Sequence, residues 1–151
     1  MLIRPVTKEE RLQSAQLLTI ESGDLTISAA DDAIHCDYTL QIGAEGTDGP
    51  AILITDCDEG LEAAALHVAL GDIRIRASDD CLNAANSDLS GFDFSMDISG
   101  GTISAYTTDG DGFDSNGSMT ITGGTPPEKP DGGTPPERLD NASEPPEPGN
   151  L

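Results

Sequence analysis

Four short stretches hold the side chains best suited to chemistry. They read D-D-A-I-H-C at 31–36, D-E-G-L-E-A at 58–63, D-D-C-L-N-A at 79–84 and G-D-G-F-D-S at 110–115. Adjacent carboxylates repel one another, and a divalent cation converts that repulsion into a clamp. Ca²⁺ takes six to eight oxygen ligands at roughly 2.3–2.6 Å, from carboxylates, amide oxygens and backbone carbonyls. The candidate ligands are Asp31, Asp32, Asp58, Glu59, Asp79, Asp80, Asp109 and Asp111 at the turns, with Asn83 and Asp114 further along the motif. Mg²⁺ demands stricter octahedral geometry, and the motif lacks the Cys/His set that zinc wants. "DGDGFD" at 109–114 has neither a Glu at the twelfth loop position nor flanking helices, so it is not an EF-hand. Asp, Asn and Gly also serve simply as turn formers. Four copies in register favour the metal.

Other chemistry is sparse. Arg74 and Arg76 are the only basic residues inside the repeats, and with Glu62 they are the candidate ligand-binding side chains. A guanidinium fork pairs well with carboxylates, including those of uronic acids, or it neutralises neighbouring acidic coils. Tyr38, Phe94 and Tyr106 are scattered, as packing residues are. Lys8 and Lys129 lie outside the repeats, and His35 and His67 stand in unrelated contexts with no serine nucleophile nearby. Proton abstraction beside a metal needs a basic side chain, for which only Arg74 and Arg76 are placed. Carboxylate pairs for glycoside hydrolysis are too abundant to inform. A non-catalytic role is therefore expected, with a lyase as the alternative.

The elements that must position these residues follow from the motif. After each acidic pair comes a small residue, then a bulky one (Ile34, Leu61, Leu82, Phe113), a polar one (His35, Glu62, Asn83, Asp114) and a small one (Cys36, Ala63, Ala84, Ser115). The closest copies are 21 residues apart, the others longer by loop insertions, which is the period of a solenoid. Residues 24–29, 51–55, 72–77, 96–106 and 118–124 alternate apolar with polar, the pattern of strands buried on one face. Short strands without helical stretches between them predict an all-β, right-handed parallel β-helix of about four coils over 17–124. Coils lie ~4.8 Å apart, so equivalent carboxylates form columns at that spacing. The open ends of such a helix expose unpaired backbone and invite association with another chain.

Composition sets bounds on partners. The 151 residues include 28 acidic and 7 Lys or Arg, for a formal charge of -21. That charge disfavours nucleic acid and anionic membranes and favours cations. No apolar run approaches the ~20 residues of a membrane helix, and the N-terminal stretch has no signal-peptide pattern. Cys36, Cys57 and Cys81 show no pairing and are expected as buried core thiols. Residues 1–16 are read as an N-terminal cap with a short helix. Residues 125–151 hold eight of the ten prolines and are expected to be a disordered tail.

The stretches "SAADDAIHC", "TDCDEGLEA", "RASDDCLNAA" and "TTDGDGFDSNGSMTITGGT" resemble the repeats of bacterial carbohydrate-binding-domain proteins built as right-handed parallel β-helices. The resemblance covers most of 17–125. It implies a fold similar to pectate lyases of polysaccharide lyase family nine, Ca²⁺ at the acidic turns, and binding of cellulose or acidic sugars such as polygalacturonate. It also implies an extracellular or cell-surface setting. Carried over by position, Asp31, Asp32, Asp58, Glu59, Asp79, Asp80, Asp109 and Asp111 look like the calcium-turn residues. Glu59 departs from the pattern, which has Asp there. The coil lysine of the lyase relatives has no counterpart, so the resemblance implies binding rather than cleavage.

Overall fold

A computed structural model describes residues 12–14 and 16–125. Among the described residues there are twelve strands and no helix. They are β1 (Leu12–Ser14), β2 (Leu17–Ile20), β3 (Ser22–Ser28), β4 (Ile34–Ile42), β5 (Gly49–Asp56), β6 (Leu61–Val68), β7 (Asp72–Ala77), β8 (Leu82–Ala84), β9 (Ser95–Ile98), β10 (Thr102–Thr107), β11 (Phe113–Ser115) and β12 (Ser118–Ile121). Every named pair is parallel, and successive coils stack into a β-solenoid of about four turns.

Two sheets enclose the core. The first runs β3-β5-β7-β10. The second runs β1-β4-β6-β8-β11, with β2 on β4 and β9 joining β6 to β12. β4 and β6 are long, bent strands whose two halves become separate strands in the coils around them. The bend is a register shift between Cys36 and Thr39. The acidic turns are the corners leading from the first sheet into the second.

Register makes the core a set of apolar ladders. Leu40, Leu66 and Met96 stack in one, Ile42, Val68 and Ile98 in the next, and Ile52 and Ile73 in a third on the facing sheet. All of these are at most 5% exposed. Few aromatics are needed because the space between the sheets is filled by like residues repeating from coil to coil. Cys36, Cys57 and Cys81 are buried and unbonded to one another, as expected. Burial pushes the Cys57 thiol up to about 12, which keeps it protonated and inert.

The corner opposite the acidic turns needs glycine. Gly101 has φ +84°, and a Cβ there would meet the Gly71 carbonyl oxygen at 2.9 Å, so the coils pack by backbone alone.

The N-terminal reading is corrected. Leu12–Ser14 is a strand, paired residue for residue with Ile34–Cys36, so the ladder with β4 outweighs local helical preference. The rest of the expected helix, residues 1–11, and the tail beyond Thr125 lie outside the described residues.

Candidate functional site

The register brings the motif copies into columns. Ile34, Leu61, Leu82 and Phe113 share one rung; His35, Glu62, Asn83 and Asp114 share the next; Cys36, Ala63, Ala84 and Ser115 share the third. The acidic pairs stack through their backbones at the corner before these strands. Asp58 N–H donates to the Asp31 carbonyl at 3.1 Å and Asp79 N–H to the Asp58 carbonyl at 3.0 Å. Asp32, Glu59, Asp80 and Asp111 follow as a second column, since Ala33 N–H donates to Glu59, Gly60 N–H to Asp80 and Cys81 N–H to Asp111. Asp109 stands beside this column, its N–H bonded to the Ser78 carbonyl at 3.1 Å. Gly110 therefore occupies the place over Asp79. A Cβ on Gly110 would lie 2.4 Å from the Asp79 carbonyl carbon and 2.6 Å from Oδ1 of both Asp79 and Asp80, so only glycine fits this close approach between coils.

Several of these carboxylates already serve the turns. Ser78 Oγ donates to Asp58 Oδ1 at 2.7 Å, and Asp111 N–H donates to Asp80 Oδ1 at 2.7 Å. The second bond lowers the Asp80 pKa but does not offset its surroundings. Burial, then the charges of Asp79, Asp114 and Asp111, hold this carboxyl above the usual range. A cation would relieve that crowding, but among the described residues no three of Asp79, Asp80, Asp111 and Asp114 bring ligand atoms within 4.8 Å of one another, so the fold does not gather these turn carboxylates into a ligand set for Ca²⁺.

The two earlier coils solve the same problem differently. His35 Nδ1 lies 2.8 Å from Glu62 Oε1 and 3.3 Å from Asp32 Oδ2, while Nε2 lies 2.9 Å from Asp37 Oδ1. The Asp32 and Glu62 carboxylates raise His35 to about 10 against partial burial, so the imidazole is a cation at neutral pH. Nδ1 is buried, yet neither nearby carboxylate is aligned for a hydrogen bond with it. Behind it, burial and the neighbouring Glu62 carboxyl push Glu59 up to about 8, and the Asn83 amide donates to Glu59 Oε2 at 3.2 Å. Asn83 is only 7% exposed, and its Oδ1 is buried without a hydrogen-bond partner.

Among the described residues, Asp32, His35 and Glu62 form the one set of three side chains whose ligand atoms lie within 4.8 Å of one another. Sequence reasoning picked out Asp32 and Glu62 separately but left His35 aside, since a lone histidine carries no metal spacing. The missing signal is the rung, which sets His35 directly under Glu62.

Arg74 and Arg76 lie on the outer face of the first sheet, on the strand that leads into the Asp79–Asp80 turn. Arg74 makes a two-pronged pair with Asp72, at 3.3 and 3.1 Å, within its own strand. Arg76 lies 5.3 Å over the ring of Tyr106, its rung partner on β10, a residue that is 57% exposed. Tyr38 and Phe94 pack instead around Phe92, with ring centroids 6.1 and 5.5 Å from it, on the loop before β9. Comparison with protein-family models, with curated proteins and with solved structures gives no match for this chain.

Proposed function

We propose that this chain is a calcium-stabilised β-solenoid that binds polysaccharide without cleaving it, with preference for acidic chains of the polygalacturonate type over neutral cellulose. The observation that carries the reading is the corner at coils three and four. There burial and the charges of Asp79, Asp114 and Asp111 hold the Asp80 carboxyl above its usual range, a crowding that a cation would relieve. A Ca²⁺ seated there keeps positions for outside oxygens, including a uronate carboxylate. β7 runs into this corner, and Arg76 with the exposed Tyr106 ring adds a guanidinium and an aromatic face on the adjoining sheet. A lyase is less well supported, because Arg74 is committed to Asp72 and no coil lysine exists. Location at the cell surface or outside the cell belongs to the same proposal.

The test begins with thermal melts of the full chain in EGTA and across a Ca²⁺ titration. An ion that binds only the folded form stabilises it by roughly 2.7 kcal/mol at a hundredfold excess over Kd. Pairing Asp79→Asn with Asp111→Asn should remove most of the rise in Tm. Retention on polygalacturonate should then require Ca²⁺ and fall at least tenfold in Arg76→Ala. A Tm that responds to Ca²⁺ without retention on any glycan would reassign the chain as a structural or adhesin spacer. Unsaturated products from polygalacturonate would restore the lyase.

A further inference from the structure

The geometry points to a second metal site of different chemistry: a divalent first-row transition ion of the Zn²⁺ class, held by Asp32 Oδ2, His35 Nδ1 and Glu62 Oε1. The three atoms come from two adjacent coils, two from the turn and start of β4 and one from β6, so the ion would tie those coils together. Metal–ligand bonds of about 2.0–2.2 Å place neighbouring ligand atoms roughly 3.0–3.5 Å apart. Of the observed separations from Nδ1, 3.3 Å to Asp32 lies within that range and 2.8 Å to Glu62 just below it, so small side-chain shifts would seat the ion.

Two further observations favour an ion over a merely crowded corner. Asp37 Oδ1 takes the Nε2 edge of the ring at 2.9 Å, the carboxylate–histidine arrangement that turns the other nitrogen towards a metal. The Asn86 amide fixes the backbone of the same residue by donating to the Asp37 carbonyl at 2.9 Å. Nδ1 is then buried between two carboxylates, at 3.3 and 2.8 Å, without a hydrogen-bond partner, and an ion between the three atoms would give that nitrogen one. One rung on, Asn83 presents a second buried, unpartnered atom, Oδ1, on the column that carries His35 and Glu62.

The imidazole sets the class of ion. Ca²⁺ wants six to eight oxygens, whereas one imidazole with two carboxylates suits Zn²⁺, Co²⁺ or Mn²⁺. The motif's lack of a Cys/His zinc pattern therefore does not extend to the folded chain, because the solenoid assembles the set across coils. The site is independent of the polysaccharide reading. In binding, the metal takes the place of the imidazole proton, which leaves to solvent.

The full chain, stripped with EDTA, would be dialysed against Zn²⁺ in the presence of excess Ca²⁺, and bound zinc counted. One zinc per chain is expected. The ¹⁵N resonance of His35 Nδ1 should move on addition of Zn²⁺, while His67, which faces the single carboxylate of Asp97 at 3.2 Å, serves as the internal control. His35→Gln should abolish this binding, and Asp37→Asn should weaken it about tenfold. Loss of zinc to excess Ca²⁺, or zinc retained with the His35 resonance unmoved, would overturn the assignment. If His35→Gln does not fold, the resonance of the native chain and Asp37→Asn decide the matter alone.

Discussion

His35 ties the stability of the fold to pH. Its folded pKa, about 10, lies above its ordinary value of 6.5. Protonation therefore stabilises the fold fully below about pH 6.5, and that contribution is lost as pH rises through the folded value. Glu59 acts in the same direction over a lower window. Its folded value of about 8 exceeds the ordinary 4.5, so its contribution is present below about pH 4.5 and lost as pH rises through 8. In metal-free buffer the Tm is expected to fall steadily from pH 5 to pH 10. Glu59→Gln should flatten the lower part of that slope and His35→Gln the upper part. A native Tm that climbs between pH 6 and pH 9 would contradict both assignments.

At the scale of the strand, the same side chain at the same rung means different things in different coils. Met96 and Met119 are direct partners of β9 and β12, yet Met96 is fully buried and Met119 is 42% exposed, since among the described residues no further coil stacks on β12. Met96→Ala should cost about 2–5 kcal/mol in a denaturant melt, as a large-to-small core change does. Met119→Ala should cost under ~1 kcal/mol, as surface changes do. Equal costs would mean that the last coil is covered in solution.

This rung logic also explains what was legible in the sequence. Period-two alternation located β3, β5, β7 and β12, and aligning the acidic motifs predicted the rungs of Ile34, His35 and Cys36 with their counterparts, because stacking demands like residues at like positions. The single run read across 96–106 instead divides at Ser99–Gly101, where the chain turns a corner between sheets. Pattern also missed β1, whose neighbours favour a helix until β4 offers a ladder. The acidic columns were visible as residue types. The contrast between a histidine-neutralised pair of coils and a bare carboxylate corner was not, since it depends on which side chains meet across coils.

For the molecule as a whole, the -21 charge opposes the apolar surface at the open end. Phe113 and Ile103 are half-buried at the last described coil, while Ile121 is 59% exposed, and among the described residues no strand pairs with the outer edges of β10, β11 and β12 beyond the single Thr102–Thr125 bridge. Such edges and the apolar rim favour end-to-end association. Carboxylate columns repelling across the junction resist it, and that repulsion is screened over about 10 Å at 0.1 M salt. The balance predicts a monomer at low ionic strength and growing mass at high ionic strength, measured by sedimentation across a protein dilution series. Ca²⁺ should promote association more than NaCl of equal ionic strength, because an ion bound at the corner removes charge rather than merely screening it. Ile121→Lys, at an exposed position, should leave the Tm nearly unchanged and suppress association under both conditions. Association that persists in this variant would move the contact to the opposite end, where Leu17 is 60% exposed.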